Sequence, residues 1–408
     1  MRSTPHAETF PAHTPATAQV FTTVLSHGPL TRLEAGRRAG LSPAAVTKAV
    51  RPLLASGYLV EGGGPGDGGG PEEGGTREAA RPALGRPAGL VRVNGERALF
   101  AGVKATGDEL IAVLTDLCCR VRLARRVPLP DRAAGAALAV LTDLVHELLT
   151  HAAESRAAVA GLGIAVSGDV DRAEGVVRYS PFLDWRDVPL AELAATACGL
   201  PVTVDNDVRA LTVAEQWFGA GAGLSDFALV TVGAGIGCGL VVHGRVVAGA
   251  HGVAGEIGHL VADPAGPLCH CGNRGCVEAI AGDAAIVARV REATGRDVPD
   301  SAAAVALAHQ GVPGAREVYA RAGEAIGRGI AAVANLLGPE RVIISGEGLA
   351  AYDLFAAQIR QAFTTAAFGS AARCDVQIRP LPFEEWARGA AATAIQTFIT
   401  HGTGSGKG

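Results

Sequence analysis

The chain has no run of about 18 consecutive apolar residues, the shortest stretch that crosses a membrane as a helix. Its first 20 residues, with Arg2, Pro5, His6, Glu8 and Pro11, have no apolar core of the kind a secretion signal carries. A cytoplasmic protein without a membrane partner is therefore expected. A positive net charge is also missing: 36 Lys and Arg against 40 Asp and Glu leave −4, which excludes a uniformly basic nucleic-acid binder. Short tandem repeats are absent, which excludes a solenoid. Disulfides are not expected either, although there are eight cysteines. Three belong to a metal-like cluster that requires reduced thiolates, and Cys118, Cys119, Cys198, Cys238 and Cys374 sit in apolar stretches as small buried hydrophobes. What remains is a chain of 408 residues, long enough for two or three domains with a sizeable core.

The cluster is the most specific feature. His259, Cys269, Cys271 and Cys276 are separated by ten, two and five residues, and Gly272 and Gly275 supply tight turns that let the thiolates converge. A Cys₃His set fills a tetrahedral Zn²⁺ completely, as in structural zinc sites; a hydrolytic site keeps one position open for water. Glu256 and Glu278 bracket the ligands, so a bound zinc would fix both carboxylates in space.

Charge is distributed unevenly. Between Thr17 and Glu61 there are five basic residues, Arg32, Arg37, Arg38, Lys48 and Arg51, against Glu34 and Glu61. Residues 1–16 read as a disordered Pro/Thr/His tail, and 17–95 as a small domain opening with three short helices. Gly28-Pro29 ends the first. Thr31 caps the second, which stops at Gly40. Ser42 caps the third, with Pro43 in the first turn, where a missing N–H is tolerated. The second and third have helix-turn-helix proportions, and Ser42, Ala45, Thr47, Lys48 and Arg51 form the outward, DNA-facing set. Pro52 is expected to bend or shorten the third helix. Strands near 58–60 and 90–93 around a long Gly/Pro loop read as a wing, with Arg81 and Arg86 suited to phosphate or minor-groove contact. The alternative is a three-helix interaction domain with a solvated basic face.

From 96 to 400, strands alternate with helices in two similar blocks, with a lobe boundary near 208–220 and a short tail at 401–408. This predicts an α/β, two-lobed domain with a cleft. Val204-Asp205-Asn206-Asp207 ends a strand and opens a helix; Asn206 and Asp207 are either caps or polar groups at the cleft rim. Residues 231–239, Thr-Val-Gly-Ala-Gly-Ile-Gly-Cys-Gly, form either a phosphate cradle or a glycine-rich hairpin.

Taken together, these residues resemble the ROK family of repressors, open reading frames and sugar kinases. The resemblance covers about residues 17–400 and rests on Val-Asp-Asn-Asp (204–207), the glycine hairpin, Gly-Glu-Ile-Gly-His (255–259), the cysteine cluster through Glu278, and Ile-Ser-Gly-Glu-Gly-Leu (344–349). It implies an actin-like ATPase fold in which Asn206, Asp207, Glu256, His259 and Glu278 contact a monosaccharide, with Asp207 matching the kinases' catalytic base. It also implies that an N-terminal winged helix-turn-helix marks the regulator branch. Several positions depart from the kinase pattern. Lys104 stands where the first phosphate loop has an Asp, Arg209 replaces an Asn, Phe182 falls where an Asn often meets the sugar, and Glu347 interrupts a glycine turn. The expectation is a sugar-responsive repressor, dimeric or tetrameric, binding operator half-sites, with structural zinc and a degenerate phosphate site. Its effector is a monosaccharide or a sugar phosphate, the latter held by Lys104 or Arg209. An active sugar kinase is the alternative.

Overall fold

The computed structural model describes residues 10–11, 14–62, 89–154 and 158–401. The N-terminal unit contains α1 (Pro15–His27), β1 (Leu30–Thr31), α2 (Arg32–Ala39), α3 (Pro43–Ala55), β2 (Leu59–Gly62) and β3 (Leu90–Val93). The strands form an antiparallel sheet in the order β1-β3-β2. Thr31 and Glu34 make a reciprocal capping box at the start of α2, and Gly40 ends that helix at φ 64°, a left-handed conformation that glycine adopts without strain. Ser42 then accepts the Ala45 N–H and opens α3. The helix-turn-helix expected from these caps is therefore present.

Two expectations for this unit need correction. The expected disordered tail of residues 1–16 overlaps the fold: α1 starts at Pro15 behind a Thr14 cap, and Phe10 is buried, its ring centroid 4.8 Å from Phe21, 5.0 Å from Tyr58 and 5.6 Å from Phe398. The shortening expected at Pro52 does not occur, and α3 runs to Ala55. Pro52 opens the last turn, where it forfeits its own N–H bond. Buried Leu53 and the Ser56 N–H and Oγ–H bonds to the Pro52 carbonyl hold that turn in place. Arg81 and Arg86, like residues 402–408, lie outside the described residues.

The first lobe comprises β4 (Leu99–Ala105), β5 (Glu109–Asp116), β6 (Val121–Pro128), α4 (Ala134–Glu154), β7 (Val159–Val166), β8 (Asp169–Asp171), β9 (Val176–Ser180), β10 (Trp185–Val188), α5 (Leu190–Cys198), β11 (Val202–Asn206) and α6 (Asp207–Phe218). The second comprises β12 (Phe227–Val232), β13 (Ile236–Val242), β14 (Arg245–Val246), α7 (Val277–Ala281), α8 (Asp283–Thr294), α9 (Ser301–His309), α10 (Pro313–Leu337), β15 (Arg341–Ser345), α11 (Tyr352–Ala366) and β16 (Asp375–Ile378), followed by α12 (Glu384–His401). The main sheets run β6-β5-β4-β7-β11 and β14-β13-β12-β15-β16. Each is an antiparallel meander extended by two parallel strands, so the two blocks share one topology. Helix α4 is long and apolar enough to cross a membrane by length and composition, but Leu141, Leu144, Val145 and Leu148 are buried in the core of the first lobe.

The chain does not finish in the second lobe. Helix α12 returns to pack on α6 and on β4 and β7 of the first. Glycine makes this possible: a Cβ at Gly102 would fall 2.1 Å from the Ala387 carbonyl oxygen, and one at Gly163 would fall 1.8 Å from that of Ala390. Because the obstacle is backbone, it has no rotamer with which to yield. Gly163→Ala should therefore destabilise the protein by about 3 kcal/mol or more, the upper end of the usual overpacking penalty, read as a lower urea midpoint. A midpoint equal to wild type would mean that α12 is not seated on the sheet.

Candidate functional site

The site lies where the sheets' strands end. Register pairs Lys104 with Ala165 and Asn206 with Val166, so Lys104 near the end of β4, Ser167 just after β7 and Asp207 just after β11 come together at the carboxyl ends of three adjacent strands. Open α/β sheets characteristically leave a crevice there. Here it is a cleft of about 880 Å³, closed from the other side by the hairpin turn at 233–235, Glu256, His259, His270, Glu278 and Glu347.

Lys104 is buried and donates to Asp207 Oδ2 and, at 2.8 Å, to Ser167 Oγ. Ser167 in turn donates to Asp207 Oδ2 at 2.6 Å. The Lys104 ammonium also lies 5.5 Å from the centroid of the Trp386 ring. Burial would lift the Asp207 carboxyl, but the Lys104 charge, with hydrogen bonds from Lys104, Ser167 and the Val208 N–H, holds it below the usual carboxylate range. The Asp207 carboxylate is thus already paired with a cation of its own chain.

Asn206 acts as a cap. Its Oδ1 accepts the Val208 and Arg209 N–H groups and its Nδ2 donates to the Gly168 carbonyl. Arg209 is not free to meet a phosphate: its guanidinium donates to Asp205 and to the carbonyls of Val170 and Gly252, and the side chain is buried. Phe182 is 42% exposed at the cleft. Loss of hydration in the cleft raises the Glu256 carboxyl; the His259 ring opposes the rise and the Glu278 charge adds to it. Glu278 accepts the Ile236 N–H at 3.0 Å, and its other oxygen lies 2.8 Å from His270 Nε2. The segment 231–239 is a β12–β13 hairpin, with Val232 paired to Ile236.

His259, Cys269, Cys271 and Cys276 converge, with all ligand atoms within 4.8 Å of one another, and the set could hold a metal. Cys269 Sγ lies 3.6 Å from His259 Nδ1, and Cys271 Sγ lies 3.7 Å from Cys276 Sγ. Tetrahedral zinc with bonds of about 2.3 Å to sulfur and 2.0 Å to nitrogen spaces its ligand atoms by roughly 3.5–3.8 Å, so these two pairs fit. Burial pushes the Cys119 and Cys238 thiols up to about 12, as for inert core residues, and Cys198 is also buried, whereas Cys118 and Cys374, expected to be buried too, are only half-buried. Sequence reasoning missed Ser167, His270 and Trp386. For Ser167 the signal was its place just beyond a strand, and for His270 its place between two ligands; nothing local announced Trp386, which arrives on α12.

On the helix-turn-helix, Ser42, Thr47, Lys48 and Arg51 are exposed, and Thr47 Oγ1 bonds back to the Pro43 carbonyl, leaving its methyl as the outward group. Ala45 is half-buried, whereas Ala44 is exposed and continues the 44-47-48-51 stripe.

The buried pair has a measurable consequence. Lys104→Met should destabilise the protein by about 3–5 kcal/mol at pH 7, because it strands a buried carboxylate, and adding Asp207→Asn should recover most of the loss. The folded-state pKa of Asp207 lies below its unfolded value. Its stabilisation is therefore complete above about pH 4 and lost as pH falls through the folded value. Urea titrations across pH 2–7 should show that acid-side loss in wild type and not in the double variant; identical profiles would contradict the pairing.

Comparison with known proteins extends the picture. The ROK family pattern matches residues 100–397. A glucokinase of Thermotoga maritima is 39% identical over 199 residues, 45% of this chain and 63% of the kinase, so that match spans less than two thirds of the enzyme. A putative xylose repressor of Caldicellulosiruptor sp. is 28% identical over 362 residues, 86% of this chain and 87% of the repressor. Among solved structures, a ROK family transcriptional regulator described as a homolog of the E. coli MLC protein aligns with a TM-score of 0.76 at 26% identity, covering 95% of this chain and 98% of that one. The regulator's likeness takes in the N-terminal unit that the family pattern leaves out. With that pattern covering most of its length, on a two-lobed frame that a family regulator shares, this chain belongs to the ROK family.

Proposed function

We propose that the protein is a sugar-responsive transcriptional repressor whose cleft binds a monosaccharide and does not transfer phosphate. The observation that carries this reading is the Lys104–Asp207 pair. Phosphoryl transfer depends on positioning phosphates and metal and on a base free to take the hydroxyl proton. Here the Asp207 carboxylate is paired with the Lys104 ammonium, which lowers its affinity for a proton and makes it a poorer base. The helix-turn-helix and the likeness to a putative xylose repressor over 86% of this chain support the DNA-binding half of the reading.

In this reading Asp207, Glu256 and Glu278 accept sugar hydroxyls, and His259, Cys269, Cys271 and Cys276 hold a zinc ion that stiffens the loop carrying both glutamates. Bound zinc would act structurally, because its four positions are filled by protein. Ser42, Thr47, Lys48 and Arg51, with Arg86 from the wing, meet operator DNA, and two copies present two such units to paired half-sites. The sugar acts by favouring one lobe arrangement, and it can shift DNA binding only by its differential affinity for the two. A physical route exists. Phe398 of α12 packs on Phe10, Tyr58 and Phe100, and Trp217 of α6 shares a core cluster with Val20, Phe21 and Val24 of α1. The kinase alternative rests on the survival of Asp207 and the glucokinase likeness; sugar-dependent ADP release would support it.

DNA from upstream of the protein's own gene should be bound with sequence preference at a stated salt concentration, and one neutral sugar of a panel should shift that affinity. Lys48→Ala and Arg51→Ala should each weaken operator binding by about 1–3 kcal/mol. Glu256→Gln should remove the sugar response and leave DNA affinity near wild type. No sequence-preferring binding at any salt or sugar concentration would reject the repressor reading. Metal analysis should find one zinc per chain, lost in Cys271→Ser together with sugar binding; full zinc in that variant would exclude this ligand set.

A further inference from the structure

We infer that the cleft selects an uncharged monosaccharide and discriminates against phosphorylated sugars, because the donors that would receive a phosphate are each engaged by a carboxylate or carbonyl of the chain itself. The inference rests on the sugar-site reading above and specifies the chemical class of the ligand.

Lys104, Arg132 and Arg209 are the lysine and arginine side chains that line the cleft among the described residues. Lys104 faces Asp207, with Ser167 taking a second of its hydrogen bonds. Arg209 is held by Asp205 and two carbonyls. Arg132, at the mouth, donates to the Gly107 carbonyl at 2.6 Å and to Asp108 at 2.8 Å. The hairpin amides are engaged as well. Glu347 Oε1 accepts the Ala234 N–H at 3.1 Å, and Glu278 Oε2 accepts the Ile236 N–H at 3.0 Å. The fit over the turn is close: a Cβ at Gly233 would fall 2.3 Å from the Glu347 carboxyl carbon. Glu347 therefore sits on the turn as an internal anion, in the position a phosphate oxygen would take to use the same N–H.

Charge points the same way. Among the described residues, Glu256, Glu278 and Glu347 face the cleft without a lysine or arginine ion-pair partner, although His270 lies 2.8 Å from Glu278. Helix α8, whose N-terminus would otherwise favour an anion, opens on Asp283, itself a carboxylate. A phosphate entering the cleft would displace internal acceptors from their donors and would meet uncompensated negative charge. Sugar hydroxyls, by contrast, donate hydrogen bonds, and carboxylates are their natural acceptors.

The test is calorimetric titration of the full chain with xylose, glucose and N-acetylglucosamine and with glucose 6-phosphate and N-acetylglucosamine 6-phosphate, repeated on Glu347→Ala. At least one neutral sugar should bind, with its 6-phosphate (where one exists in the panel) at least tenfold weaker. Glu347→Ala should narrow that gap at least threefold by strengthening the phosphate while leaving the neutral sugar unchanged. A 6-phosphate that binds as tightly as its parent or tighter would overturn the inference and leave the sugar-site reading standing. So would a gap unchanged in Glu347→Ala, since the internal carboxylate would then not be its origin. If no sugar of either kind binds, the sugar-site reading fails, and this inference fails with it.

Discussion

A buried ammonium facing a buried carboxylate sets the character of this protein. Either charge alone at the base of the cleft would be expensive to desolvate; together, with Ser167 completing the arrangement, they leave the site neutral at that point and structurally committed. The pair also links β4 to the start of α6, so the strand ends that form the cleft floor are tied by charge as well as by the sheet. Asp207 thus serves as one half of a brace between neighbouring strand ends.

The second lobe repeats the same logic with different atoms. A glycine-rich hairpin exposes backbone N–H groups to the cleft, and the chain returns glutamates to meet them, Glu278 from α7 and Glu347 from the turn after β15. In both lobes, then, polar groups that line the cleft are met by partners from within the chain. The cysteine cluster bears on this indirectly. It anchors the loop between Glu256 and Glu278, so the acceptor geometry depends on how rigidly those ligands are held.

Helix α12 connects the cleft to the helix-turn-helix. Trp386 near its start lines the cleft beside Lys104, and Phe398 near its end joins the aromatic cluster of Phe10, Phe21 and Tyr58. Close packing through Gly102 and Gly163 leaves the helix little freedom to slide independently of the first lobe's sheet. A rearrangement at the cleft and a change in the seating of the N-terminal unit are therefore mechanically related.

Much of this was legible from local chemistry. Thr31, Ser42-Pro43 and Gly40 marked the helix-turn-helix because capping depends on near neighbours, and ligand spacing marked the metal cluster because its residues lie within one short segment. Lys104 was likewise visible as a departure from the kinase pattern that the resemblance implies. Its consequence was not, since Lys104 meets Asp207 only when β4, β7 and β11 align in register, a relation between residues 103 positions apart. Nor could periodicity show that α12 leaves its own lobe to cover the other, that Phe10 has aromatic partners, or that Asn206 and Arg209 are consumed by internal bonds. The sequence determined the elements, their caps and the identity of the candidate ligands, because those depend on short-range geometry. The tertiary structure alone decided which charges neutralise one another and which remain open to a ligand, because distance between remote residues is set by sheet register and helix packing.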